Sequence, residues 1–384
     1  MPVERVLHYR LAPMDVPRLP SPATLASAAA NVVAKVRTGH LADLTPLPAA
    51  VIHDEALQTL SRYEVGDPSP APPVLLVPPL GAPALCFDLR RGCSLAEHLV
   101  DGRRRTYLVD YGPLAFSDRA LGLERWVDDI IPASIARVSA DAGGAPVHLV
   151  GWCMGGLFSL LATSAQRDLP VASVTAIASP FDIAAVPLVA PLRPLAQVTG
   201  GRILSSVYRT LGSIPAPIVH WAFQLSSFDK YVTKPLAIAA HLGDRDFLEQ
   251  IEAVDNLMAN MYAYPGRAFG QIYHLMLRAN DLKGGGIDLA GRTISLRDLD
   301  KPTLLVAGEG DGIAPVDAVR AGAEALTGSP DVRFEIAPGG HLGVLTGRQA
   351  RGTTWTHLDA FLRAHDLGLA DHTGRRTSAR RSKA

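Results

Sequence analysis

The sequence is short of cysteine, with Cys86, Cys93 and Cys153 alone among 384 residues. An odd count in so long a chain does not read as a disulfide framework and fits a reducing cytoplasm. An excess of charge is missing as well: 37 basic residues balance 37 acidic ones, so nothing overall points to nucleic acid or an anionic membrane as partner. Only six of the basic residues are lysine, a bias that reads as genome composition before function. No run of 18 uncharged apolar residues occurs, and the start MPVERVLHYRLAPMD lacks the pattern of a signal peptide. A soluble cytoplasmic protein is expected, with no internal repeats and no metal or cofactor site. Hydrophobic residues make up 48% of the chain, which leaves room for an apolar patch or a lipid-facing cleft.

What the chain does have is a ten-residue stretch, Val147 to Gly156, reading VHLVGWCMGG. Its apolar first half predicts a strand buried on both faces. Gly151, Cys153 and Gly155 then spell G-x-C-x-G, and LFSLLATSAQRDL continues with helical spacing, so the order is strand, tight turn, helix. This is the pattern of a nucleophile elbow with sulfur in place of oxygen. The turn residue must be strained and exposed, and a Cβ two places before or after it would strike backbone. A lone G-x-C-x-G also arises by chance around an inert, buried cysteine, so partners have to be found elsewhere in the chain.

The rest of the chain is laid out around that turn. Residues 1–70 carry two helical-looking stretches, ATLASAAANVVAKV and VIHDEALQTLSRY, and read as an accessory helical segment. A proline-rich linker, 67–73, leads into the buried strand VLLV. Strands at 106–112 and 171–182, with helices between them, make 71–182 the first part of an α/β core. From 183 to 298 the pattern is helical, broken by proline and glycine, with no confident strand, as in an inserted cap. Within it, 214–225 is apolar and suits a lid or a docking face. Strands at 302–311 and 331–341 and a last helix return the chain to the core over 299–368. The basic stretch 369–384 reads as a disordered tail.

A thiol with an ordinary pKa of about 8.5 is mostly protonated at neutral pH and needs a base. His341, behind Pro338-Gly339-Gly340 at a strand end, is placed to be that base, and Asp311, ending the preceding strand, can hold its far ring nitrogen. Nucleophile, acid and histidine then occur in the α/β-hydrolase order. Glu309 and Asp317 compete for the carboxylate role. His148, His220, His241 and His274 compete for the base, although His148 lies within the elbow strand and should point away. Oxyanion donors are expected from the backbone of Met154 and from Leu80 or Gly81, because Pro78 and Pro79 have no N–H. Gly156 completes the elbow.

VPPLGAPALCFDLRRGCSLAEHLVDGRRRTYLVDYGP, GWCMGG, LVAGEGDGIAP and PGGHLGV together resemble the polyhydroxyalkanoate synthases, over roughly 70–365. The resemblance implies an α/β-hydrolase fold, a mostly parallel sheet with flanking helices and a mainly helical inserted cap. It implies acylation of Cys153 by a 3-hydroxyacyl-CoA used as substrate, with His341 as general base and Asp311 acting with it, and growth of a polyester. The short region before the first core strand looks most like the class III catalytic subunits, which work with a second subunit; a homodimer and a granule surface belong to the same expectation. Trp152 and Met154 are bulky departures beside the cysteine, and the cap stretch MYAYPGRAFGQIYHLMLRAND matches only loosely. Two other readings stay open: an esterase, thioesterase or lipase using the same triad on lipid esters, and a non-catalytic lipid- or granule-associated protein.

Overall fold

Val74–Val77 and Val147–Trp152 are buried at every position, and both become central strands of one eight-stranded sheet. The computed structural model describes residues 21–187, 213–214 and 228–366. The strands are β1 (Ala49–Glu55), β2 (Gln58–Tyr63), β3 (Val74–Val77), β4 (Thr106–Asp110), β5 (Val147–Trp152), β6 (Val171–Ile177), β7 (Thr303–Gly308) and β8 (Val332–Ala337), in the spatial order β1-β2-β4-β3-β5-β6-β7-β8. From β4 to β8 all neighbours run parallel, whereas β1–β2 and β2–β4 are antiparallel. The order reverses between β3 and β5, and in open α/β sheets such a reversal is where ligands bind, beyond the carboxyl ends of the strands.

The helices include α1 (Pro22–Thr38), α2 (Leu95–Asp101), α3 (Ile131–Asp141), α4 (Met154–Ala165), α5 (Phe228–Ala240), α6 (Arg245–Ala259), α7 (Val316–Ala325) and α8 (Thr354–Ala364). Ser21 caps α1 by accepting from Thr24 N–H at 3.1 Å, and Gly39 ends it in the left-handed conformation. Before α3 the chain makes a wide π turn over Arg125–Ile130; Pro132 at the start of α3 lacks the N–H that a regular continuation would use. Trp126, Ile130 and Ile131 are fully buried there.

Two expectations change. The stretch 51–63, read as helical and placed in an accessory segment ending at 70, is the β1–β2 hairpin and extends the main sheet. Its period-two signal is short: Gln58 and Leu60 are buried between less buried Thr59 and Ser61, and Leu57 turns the hairpin at φ 65°. The free edge of β4 decides the matter, and local sequence cannot display that edge. In the stretch 183–298 a second hairpin, Gly286–Leu289 with Arg292–Ser295, buries Ile287, Leu289 and Ile294 in the same apolar core as the sheet. Ser213–Ile214 and Tyr264–Pro265 also pair as a short ladder. Residues 215–225 and the basic tail lie outside the described residues. Among the described residues no helix is long and apolar enough to cross a membrane.

Candidate active site

Leaving β5, the chain reverses at Cys153, whose φ of 54° and ψ of −120° are costly for any residue with a side chain. The surroundings hold it there. Cys153 N–H donates to Ile177 O at 2.8 Å, and Ser179 Oγ–H donates to Cys153 O at 2.7 Å. The flanking glycines are required by close approach: a Cβ on Gly151 would lie 2.4 Å from Gly156 N, and one on Gly155 would lie 2.0 Å from Val77 O. Gly156 packs as tightly against Ser179 and Ala176. Helix α4 starts at Met154, so its N-terminal peptide groups face the sulfur's position with the positive end of the helix.

His341 lies in the loop after β8. Trp152 Nε1–H donates to His341 O at 2.9 Å, and the two rings stand 5.1 Å apart, which gives the bulky elbow neighbour a supporting role. Asp311 follows β7. One of its oxygens accepts from Ile313 N–H at 2.8 Å and Ala314 N–H at 2.9 Å, while the other lies 2.8 Å from His341 Nδ1. Burial alone would raise the Asp311 pKa; the His341 charge and hydrogen bond and the two amides outweigh it and hold the carboxyl below its usual range. Burial alone would lower His341; the charges of Cys153 and Asp311 overcome it and raise the imidazole to about 10. The arrangement favours a proton on the ring while negative charge sits on either side of it.

The competitors lie elsewhere. Glu309 and Asp317 are exposed, and Asp317 faces Arg320. His148 is buried at the start of β5 between Ser173 Oγ and Asp366, at the opposite end of the strand from Cys153. His241 stacks on Phe247, and His274 packs edge-on to Tyr273 in the cap region. His220 is outside the described residues.

Leu80 and Gly81 sit in the loop after β3, whose carbonyls at Val77 and Pro78 press against the start of α4. A further residue, Tyr264, is partly buried against the core and feels the charge of Cys153; its hydroxyl donates to Leu80 O at 2.7 Å. Its only sequence signal is the tyrosine-rich run Tyr262-Ala263-Tyr264-Pro265-Gly266, which resembles a generic cap segment. Cys153, Asp311 and His341 expose only 8%, 5% and 8% of their surfaces, so the three side chains are nearly sealed from bulk water.

Comparison with known proteins agrees with this geometry. The family model for the alpha/beta hydrolase fold matches residues 72–348, a span containing Cys153, Asp311 and His341. The chain is similar to the poly(3-hydroxyalkanoate) polymerase subunit PhaC of Allochromatium vinosum, 27% identical over 79% of this chain and 85% of that one. It is also similar to the same subunit of Thiocystis violacea, 25% identical over 79% and 84% of the two chains. Among solved structures, DcsB in complex with its substrate analogue is alike in fold, with a TM-score of 0.51, 17% identity, and coverage of 84% of this chain and all of that one. With a mostly parallel sheet, a strained turn between β5 and α4, and a carboxylate and a histidine on the loops after β7 and β8, the chain belongs to the α/β-hydrolase fold family.

Proposed function

We propose that the protein is a polyhydroxyalkanoate-synthase-like acyltransferase that moves 3-hydroxyacyl groups from CoA thioesters through Cys153 to a growing polyester. The observation that carries it is a sulfur nucleophile on the elbow of a chain similar to a polymerase subunit over most of that subunit's length. In the first step the Cys153 sulfur attacks the thioester carbonyl. The oxyanion that forms is met by N–H groups of Met154 and of Leu80 or Gly81; the carbon–sulfur bond to CoA then breaks, and His341 gives its proton to the departing thiolate. In the second step the hydroxyl of another 3-hydroxyacyl unit loses its proton to His341 and attacks the acyl-enzyme, forming the ester and releasing the Cys153 thiolate. Asp311 holds the imidazole and balances its charge in both steps.

Exchange between two thiols is close to neutral in free energy, which suits sulfur to this chemistry. The small exposure of the three side chains supports transfer over hydrolysis, because a sealed acyl-enzyme waits for a hydroxyacyl group without meeting water. On this reading the enzyme works in the cytoplasm, at the surface of its own product, and joins a second subunit. An exposed apolar stripe on α1, formed by Leu25, Val32, Val33 and Val36, supports such an attachment.

The test is incubation with 3-hydroxybutyryl-CoA while CoA, polymer and free acid are measured separately. CoA release with polymer supports the proposal. CoA release with free acid alone replaces it with a thioesterase, and no CoA release removes the acyl-CoA reading altogether.

A further inference from the structure

We infer that Tyr264 is a positioning residue that sets the direction of the oxyanion donor in the Leu80–Gly81 turn. The inference rests on the acyl-transfer reading of Cys153 and adds to it a device supplied by the segment just ahead of the Gly266–Gln271 helix.

A peptide unit is planar, so its carbonyl and the N–H of the next residue point in opposite directions and rotate together. Tyr264 Oη donates to Leu80 O at 2.7 Å and thereby fixes the plane that carries the Gly81 N–H. Tyr262 N–H donates to Gly81 O, also at 2.7 Å, and fixes the next plane. On the core side, Tyr111 Oη donates to Pro78 O at 3.1 Å. Three carbonyls of one short loop are thus tied by three donors, two of which come from 262–264.

The fit is mutual. Gly81 has a φ of 80°, and a Cβ built on it would lie 2.2 Å from the Tyr264 ring, so glycine at 81 is needed both for the backbone angle and for the ring. Tyr264 is anchored in turn. Its neighbour Pro265 opens the Gly266–Gln271 helix, where Ala268 N–H donates to Leu121 O at 3.0 Å and Gln271 Oε1 accepts from Leu123 N–H at 2.6 Å. Burial, and behind it the charge at Cys153, pushes the Tyr264 phenol well above its ordinary pKa, so it stays protonated and remains a donor. Oxyanion stabilisation depends on donors being aimed before charge develops, and a loop of this kind gains that aim from whatever fixes its peptide planes.

The experiment uses the full-length protein and Tyr264→Phe, which keeps the ring and removes one donor. Three quantities are read: the first-turnover burst of CoA from 3-hydroxybutyryl-CoA, alkylation of Cys153 by iodoacetamide, and amide hydrogen exchange at Gly81. Alkylation needs the Cys153–His341 pair and no oxyanion. The expected result is a burst rate lower by about tenfold or more, a smaller effect than outright loss of a donor, with KM and alkylation within about twofold and faster exchange at Gly81. Unchanged exchange overturns the clamp. A normal burst with faster exchange overturns its role in catalysis, and alkylation falling as far as the burst does likewise, because the damage then lies in the thiol–imidazole pair. A wild-type enzyme that never releases CoA overturns the acyl-transfer reading and the oxyanion role with it, and that failure is distinguishable because the unsubstituted protein shows it.

Discussion

Asp311 Oδ2 stands 2.8 Å from His341 Nδ1, and the other Asp311 oxygen is held by two backbone amides. The carboxylate therefore has one orientation, and the ring inherits it. Asp311→Asn keeps the shape but loses the charge and can present an N–H to Nδ1. First-turnover CoA release is expected to fall by about 10²-fold or more. Because the contacts are those of an orienting group, elongation is expected to fall by a similar factor; single-turnover rates for the two steps would show it, and a selective loss of elongation would argue for direct assistance to the incoming hydroxyl.

The raised pKa of His341 makes stability depend on pH in a definite direction. Its value rises from 6.5 to about 10 on folding, so across that window the folded state holds a proton that the unfolded state has lost. The stabilisation is complete below pH 6.5 and disappears as pH rises through about 10. Cys153→Ala removes the charge that does most to raise the ring and leaves Asp311 alone to oppose the effect of burial. Urea unfolding between pH 6.5 and 9.5 is expected to show a shallower decline in the variant, and histidine NMR a lower titration midpoint for His341.

Thiol chemistry should single out one cysteine of three. Burial pushes both the Cys86 and the Cys93 thiol up, and both side chains are fully enclosed. Iodoacetamide on the native protein is expected to label Cys153 and leave the other two, as read by peptide mass spectrometry. Cys153→Ala should abolish turnover with the fold intact, and Cys153→Ser should lower thioester transfer strongly, because a hydroxyl is far harder to deprotonate. Full activity in Cys153→Ala would remove it as the nucleophile.

Gly155→Ala tests why the elbow needs glycine. The added methyl would have to sit 2.0 Å from Val77 O, and neither β3 nor α4 can shift alone. A loss of at least about 1–3 kcal/mol is expected from overpacking, together with loss of turnover, since the displaced loop also carries Leu80 and Gly81. Thermal unfolding and CoA release measure the two effects.

Asp246, on α6, accepts from Arg90, Arg348 and Arg351, and so joins that helix to the loops before α2 and after His341. Arg90 is 2% exposed and keeps Glu249 at 3.3 Å when Asp246 is removed. Asp246 is 39% exposed and partly screened by solvent, so Asp246→Ala is expected to cost about 1–3 kcal/mol, less than the loss of a partner from a fully buried pair. Faster proteolysis within 228–259, with the sheet intact, would show that the network fastens α6 to the core.

The elbow was legible because its requirements are local. A buried strand, a residue forced to positive φ and two positions where a Cβ strikes backbone leave a G-x-C-x-G signature in consecutive residues. Asp311 and His341 were legible because parallel strands deliver their following loops to the same edge of the sheet, so chain order alone aligns them. The choice of Asp311 over Glu309 and Asp317 was made by the tertiary structure, which buries one carboxylate against an imidazole and leaves the others in water. The hairpin at 49–63 was decided by β4, a strand more than forty residues later whose free edge pairs with β2, and helical-looking composition gave way to that ladder. Tyr264 was invisible for the same kind of reason: its meaning lies in a contact with Leu80 and Gly81, 184 residues away from Leu80 along the chain, where a ring and a missing side chain fill the same space.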